Sequence, residues 1–295
     1  MTSKTLIAAT LVAALPGFGI AGEQILEIPV EGDIVAATLV TPEGKPNAPV
    51  VLMLPAFGVP RDGLPIAGSD DKLFERAATS FADVGIASLR IDYRGTGDSG
   101  GEPSDATLHS HIEDGVAALD WVKSQTEGPI SSAVIGWSMG GAIAPAVARG
   151  AGADALVLLN PALDLGPAFT FGIGVEQMRA ALADGAAAEM PGAEGAPATP
   201  LSAAFLRSTL EVLPQADLAL FNGPVFMAVG TGDDIVFPQP ELGKAALAYH
   251  PGAHELMVQP MDHFFDIADG AQQSDAVFGK ARAFLGKALM DSVEK

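Results

Sequence analysis

GWSMGG, residues 136–141, follows an apolar run at 133–137 and opens a helix candidate over 138–149. Gly136 and Gly140 stand two positions before and two after Ser138, at a strand-to-helix turn, which is the nucleophile-elbow pattern. Small residues are needed there because strand and helix approach closely. The turn strains the serine and projects its hydroxyl above the carboxyl edge of a sheet. It also sets the Met139 N–H at a helix N-terminus, where a developing negative oxygen is stabilised. A tight turn holding a serine by chance is the bland alternative, and the strand before and helix after weigh against it.

Outward from the elbow, the chain alternates. Residues 23–30 and 33–41 read as two strands around a Glu31-Gly32 turn. Nearly continuous apolar runs follow at 49–55, 86–93, 133–137, 155–160, 224–230 and 255–259, as expected for strands covered on both faces. Helix candidates lie between them, at 70–84 after Ser69 as N-cap, 106–124, 138–149, 240–249 and 271–290. The second carries an apolar stripe at Leu108, Ile112, Val116, Leu119 and Val122. The alternation predicts an α/β fold with a mostly parallel eight-stranded sheet, helices on both faces and right-handed crossovers. Residues 161–220 interrupt it with Gly, Ala and Pro clusters, too long for an ordinary connection, and read as an inserted lid or cap. Phe169, Phe171, Met178, Phe205 and Leu206 there could face a substrate or pack the insertion's own core. The organisation expected is therefore a leader over 1–21, a core of 22–160 with 221–295, and an insertion over 161–220.

A serine alone is a poor nucleophile and needs a base. Five histidines compete: His109, His111, His250, His254 and His263. The elbow pattern's chain order is serine, acid, histidine, with the histidine after the last strand. His263 in PMDHFF fits; His250 and His254 precede that strand or begin it, and His109 and His111 lie upstream on a helix expected to be exposed. The base needs an orienting carboxylate. GTGDDIVFP, residues 230–238, follows the next-to-last strand, and its spacing from Gly230 through Asp233 to Val236 favours Asp233. Asp234 is then a solvated neighbour, and Asp164 in NPALD is the other possibility. A second oxyanion donor is expected from the loop LMLPAFGVP, where the Phe57 N–H is best placed. DYRGTGDSGG, residues 92–101, lacks the lysine of a phosphate cradle, and Asp92 and Arg94 read as a structural ion pair or a brace for the loop rather than catalytic groups.

Composition narrows the setting. The 295 residues hold 36 acidic against 16 basic side chains, a formal charge of −20, and no cysteine. Disulfides, cysteine-ligated metals and a cysteine nucleophile are excluded. The acidic balance argues against nucleic acid and against a polybasic membrane contact. A hydrophobic content of 48% is ample for a packed core. Residues 1–21 read as a secretory signal: Lys4 precedes an apolar run over 6–15, Pro16-Gly17 breaks it, and Gly19-Ile20-Ala21 offers small residues for cleavage after Ala21. The compartment expected is periplasmic or extracellular, with no stable membrane insertion after cleavage.

These pieces resemble an α/β-hydrolase, and most closely the serine-aminopeptidase-like branch that includes bacterial feruloyl and cinnamoyl esterases. DYRGTGDSGG, GWSMGG, LNPALD, GPVFMAVGTGDDIVFP and MDHFF stand in that family's order across residues 49–285. The resemblance implies Ser138 as nucleophile, Asp233 as acid, His263 as base, and Phe57 with Met139 as oxyanion donors. It implies a lid over 161–220 lining the substrate pocket, with Trp137, Phe169, Phe171 and Phe205 as substrate-contacting candidates. It also implies a small-molecule ester substrate and no metal or organic cofactor. Two departures stand out: Pro55-Ala56 replaces the usual His-Gly, and Trp137 replaces the histidine often found before the serine. A peptidase or amidase, a thioesterase, or a non-catalytic binding module on the same fold are the rival readings.

Overall fold

The computed structural model describes residues 22–191 and 198–290. The leader and cleavage site expected at 1–21 lie outside the described residues. Strands β1 (Gly22–Val30) and β2 (Asp33–Thr41) form an antiparallel hairpin. Glu31 and Gly32 both take positive φ, 51° and 94°, as a two-residue hairpin whose twist matches its strands requires. The strands β3 (Val50–Leu54), β4 (Ala87–Ile91), β5 (Ser132–Trp137), β6 (Ala155–Leu159), β9 (Val225–Gly230) and β10 (His254–Gln259) are parallel. Sheet order is β1-β2-β4-β3-β5-β6-β9-β10, so eight strands form one mostly parallel sheet.

Helices α1 (Leu73–Ala82), α2 (Leu108–Ser124), α3 (Met139–Gly150), α8 (Glu241–Leu247) and α9 (Gln272–Met290) fall where the periodicity predicts them. The first begins later than expected. Ser69 Oγ accepts from the Asp71 N–H in a preceding turn, and Glu75 caps the helix by accepting from Lys72 N at 3.2 Å. The Ile66 N–H bond to Asp71 O holds residues 66–71 in that turn and delays the helix. The 161–220 stretch has structure of its own: α4 (Leu165–Ile173), α5 (Val175–Asp184), the antiparallel ribbon β7 (Ala188–Met190) and β8 (Thr199–Leu201), α6 (Ala203–Glu211) and α7 (Pro214–Leu220).

Strand parity sorts the core into two layers. Val50, Leu52, Leu54, Val134, Leu156 and Leu158 face α2, α3 and the inserted helices. Val51, Met53, Ala133, Ile135, Trp137, Val157 and Leu159 face α1 and α9. With β3 to β6 and β9 buried on both faces, the sheet's carboxyl edge is left to carry polar chemistry. Among the described residues no helix is long and apolar enough to cross a membrane.

Candidate active site

Ser138 sits between β5 and α3 at φ 55° and ψ −117°, a region costly for a residue with a Cβ. The glycines around it permit that turn. A Cβ on Gly136 would lie 2.3 Å from Gly140 O, and one on Gly140 would lie 2.2 Å from Leu54 O. The turn is anchored by Ser138 N donating to Leu159 O at 3.0 Å, and by Ala142 N and Ala162 N each donating to Ser138 O at 3.0 Å.

His263 arrives on the loop after β10. Asp262 shapes that loop: its Oδ1 accepts from Phe264 N and Asp266 N, each at 2.8 Å, while Phe265 and Asp266 take φ of 62° and 52°. Asp233 arrives after β9, where its Oδ1 accepts from Ile235 N at 3.0 Å and Val236 N at 2.8 Å. These bonds leave Oδ2 free to accept from His263 Nδ1 at 2.8 Å. The other ring nitrogen, Nε2, lies 2.8 Å from Ser138 Oγ. With the ring proton on Nδ1, Nε2 can accept the serine hydroxyl's proton. All three residues are buried, which keeps water from competing for these bonds.

The Met139 N–H is at the first position of α3, and Phe57 follows β3 in the neighbouring loop. Among the described residues neither of these N–H groups donates to a protein acceptor. Both residues line a cavity of about 190 Å³ with Tyr93, His111, Leu201 and Phe205. The Tyr93 hydroxyl donates to Pro55 O at 3.2 Å, and burial, with the Asp114 charge adding to it, pushes that hydroxyl's pKa well above its usual range. His111 stacks on Tyr93 with ring centroids 4.2 Å apart. Burial first, and the nearby Arg94 charge second, lower its pKa to about 3, so it is uncharged at neutral pH. Among the described residues no three His, Asp or Glu side chains are grouped to hold a metal ion.

The comparisons with known proteins agree with this architecture. A family model described as X-Pro dipeptidyl-peptidase (S15 family) matches residues 31–170, which include Phe57, Ser138 and Met139 but stop short of Asp233 and His263. The structure of Est1E from Butyrivibrio proteoclasticus with bound ferulic acid superposes with a TM-score of 0.72 at 19% identity, covering 90% of this chain and 99% of that one. The chain has the α/β-hydrolase fold. The α/β-hydrolase GrgF from Penicillium sp. sh18 gives a TM-score of 0.68 at 18% identity, covering 91% of this chain and 99% of that one. An uncharacterised 31.7 kDa protein of Escherichia coli, from the traX-finO intergenic region, is 28% identical over 91 residues, or 31% of this chain. The chain spans only 29% of that relative's length.

Several sequence expectations change in this structure. Trp137 does not line the cavity. It shares parity with Ala133 and Ile135, so it faces α1 and α9 and packs fully buried against Phe74, Phe264 and Phe265. Its Nε1 donates to His263 O at 3.2 Å instead. Phe171 is 74% exposed on α4, edge-on to Phe237, and does not line the cavity. Phe169 and Phe205 do pack beside it, each within 6 Å of the Phe57 ring centroid. Met178 and Leu206 are buried in the same layer, within the inserted helices.

Asp92 and Arg94 do not pair with each other. Asp92 binds Arg61, whose N donates to its Oδ1 at 2.7 Å, while Arg94 holds Asp114 and Glu113. Each therefore braces the glycine loop from a different side. His111 is buried rather than exposed, because it points from α2 into the layer of Tyr93 and Phe205; His109 is the exposed one, 3.1 Å from Glu211. Asp234 and Asp164 are exposed, and neither approaches His263 as Asp233 does.

Proposed function

We propose that this α/β-hydrolase cleaves carboxylic esters through an acyl-enzyme. The observation that carries the reading is the buried line of two 2.8 Å contacts, Ser138 Oγ to His263 Nε2 and His263 Nδ1 to Asp233 Oδ2. The Ser138 oxygen attacks the ester carbonyl as His263 Nε2 takes its proton. The Asp233 carboxylate stabilises the imidazolium so formed, and the Phe57 and Met139 N–H groups hold the negative oxygen. Collapse expels the alcohol, which takes the proton from Nε2. Water then attacks the acyl-enzyme by the same route and restores Ser138 with release of the acid.

The cavity beside Phe57 and Met139 supports the choice of substrate. Its wall is largely apolar, and His111 contributes no charge to it, so it suits an uncharged arm of the ester. Est1E was seen with ferulic acid, which makes aromatic acyl esters the first group to try. The match to an X-Pro dipeptidyl-peptidase model favours one second reading, amide cleavage by the same groups. We also propose that residues 1–21 direct export to the periplasm or beyond, and that the 161–220 helices act as a cap over the substrate.

The test is a panel of matched nitrophenyl esters and nitroanilides, assayed with the full chain and with Ser138→Ala. The ester reading expects esters to be turned over and Ser138→Ala to lose at least about 10³-fold in kcat/KM. Preferential anilide cleavage would favour the peptidase, and normal turnover by Ser138→Ala would remove both.

A further inference from the structure

Two side chains outside the serine–histidine–aspartate line hold its parts in register. Asn160 follows β6, fully buried, at φ 39°. That left-handed conformation is one asparagine tolerates better than most residues. Its own N–H donates to Ala228 O at 2.8 Å, which pins it to β9. Its Oδ1 accepts from Gly230 N at 2.8 Å, at the root of the loop that carries Asp233. Its Nδ2 donates to Asp262 O and to His263 O, each at 3.1 Å, in the loop that carries the base. Trp137 reaches the same His263 carbonyl through Nε1 at 3.2 Å.

The His263 carbonyl thus takes two N–H groups, one from the residue before Ser138 and one from the residue that also ties down the acid loop. Only an amide of this length has the needed acceptor and two donors in one group. An aspartate would set a carboxylate against two carbonyls. A leucine would orphan the Gly230 N–H. Through these bonds Asn160 and Trp137 act on the backbone that carries the three side chains, and the Trp137 ring also lies beside the His263 imidazole, centroids 6.2 Å apart.

We propose that Asn160 and Trp137 are positioning residues that clamp the His263 backbone between the serine's strand and the aspartate's loop. The proposal rests on the reading of Ser138, His263 and Asp233 as the reacting groups. Displacing a general base by a fraction of an ångström lowers the rate of attack while leaving the substrate's cavity intact. The tryptophan before the serine then has a use: it brings an indole N–H that an aliphatic or phenyl side chain would lack.

The experiment compares Asn160→Asp and Trp137→Phe in the full chain, with active sites counted by fluorophosphonate labelling of Ser138. Asn160→Asp is expected to lower kcat per active site by about 100-fold and Trp137→Phe by about tenfold, each with KM within about twofold of the parent. Because both donate to one carbonyl, the double variant should lose less than the product of the two. A second readout needs no turnover: the low-field proton resonance of His263 Nδ1–H against Asp233 should be present in the parent and shifted or lost in Asn160→Asp. A merely structural role would lower stability but leave kcat per active site and that resonance unchanged, and that result overturns the clamp. Should Asn160→Asp fail to fold, Trp137→Phe decides by the same measures. Failure of a fluorophosphonate to label Ser138 would instead strike the catalytic reading, and the proton resonance would still judge the clamp.

Discussion

Replacing His111 by phenylalanine should remove an acid sensitivity built into the core. The imidazole is 3% exposed, and its two ring nitrogens have no partner among the described residues. Its pKa is lowered to about 3, against about 6.5 for the free side chain. Between those values the unfolded chain binds a proton that the folded chain refuses, so stability rises with pH across that window. The full stability is present above about pH 6.5 and is lost as the pH falls toward 3. Each pH unit through the middle of the window costs about 1.4 kcal/mol, giving about 2 kcal/mol at pH 5 and about 3 kcal/mol at pH 4. At pH 7 the phenylalanine variant should be at least as stable as the parent. It keeps an aromatic ring against Tyr93 and Phe205 and buries no unsatisfied nitrogen. Urea unfolding of both proteins at pH 4, 5, 6 and 7 measures the effect as a difference, which cancels the many carboxylates titrating in both. The stability gap in favour of His111→Phe should widen steadily below pH 6.5. Parallel pH profiles would refute the reasoning, because they would mean that His111 is protonated in the folded chain or finds a partner there.

Three further outcomes follow from the same structure. Asp233→Asn should cost about 10⁴-fold in kcat by leaving His263 in the wrong tautomer, while Asp234→Asn, on an exposed neighbour, should stay within about twofold; ester kinetics of the pair separate them. Gly140→Ala should abolish activity and destabilise by at least about 3 kcal/mol, since its Cβ would meet the Leu54 and Pro55 carbonyls at 2.2 and 2.5 Å; chemical denaturation and fluorophosphonate labelling read both effects. Arg76→Ala breaks an exposed bridge to Asp71 and Asp275 between α1 and the start of α9 and should cost under about 1 kcal/mol, less still in high salt, as thermal unfolding at two ionic strengths would show.

Much of this architecture is encoded locally. The strand before Ser138, the glycines at two-residue spacing and the helix after it are properties of one short stretch. Their meaning depends on sterics between near neighbours, as the Gly136 Cβ placed 2.3 Å from Gly140 O makes plain. Apolar runs between helical stripes were equally legible, because burial on both faces leaves no room for polar alternation. The chain order of Ser138, Asp233 and His263 singled out one acid and one histidine among several, and the fold brings those three side chains within hydrogen-bond distance. Residues 161–220 were harder to read: their Gly, Ala and Pro content hides short helices that gain most from packing on each other and on α3.

What the sequence alone determined, then, is the set of elements, the strained serine and the order of Ser138, Asp233 and His263 along the chain. The tertiary structure decided which partners those groups meet. Trp137 faces the α1 and α9 layer because strand parity assigns it there, away from the cavity that Phe57 and Phe205 line. Asp92 takes Arg61, and Arg94 takes Asp114, because the sheet order brings those loops together. Asn160 carried no signal beyond its place in a short motif, since its three amide bonds go to backbone atoms 70 to 103 residues away. Hydrogen bonds to a distant main chain depend on geometry rather than on the partner's side chain, so no pattern of residue types could announce them.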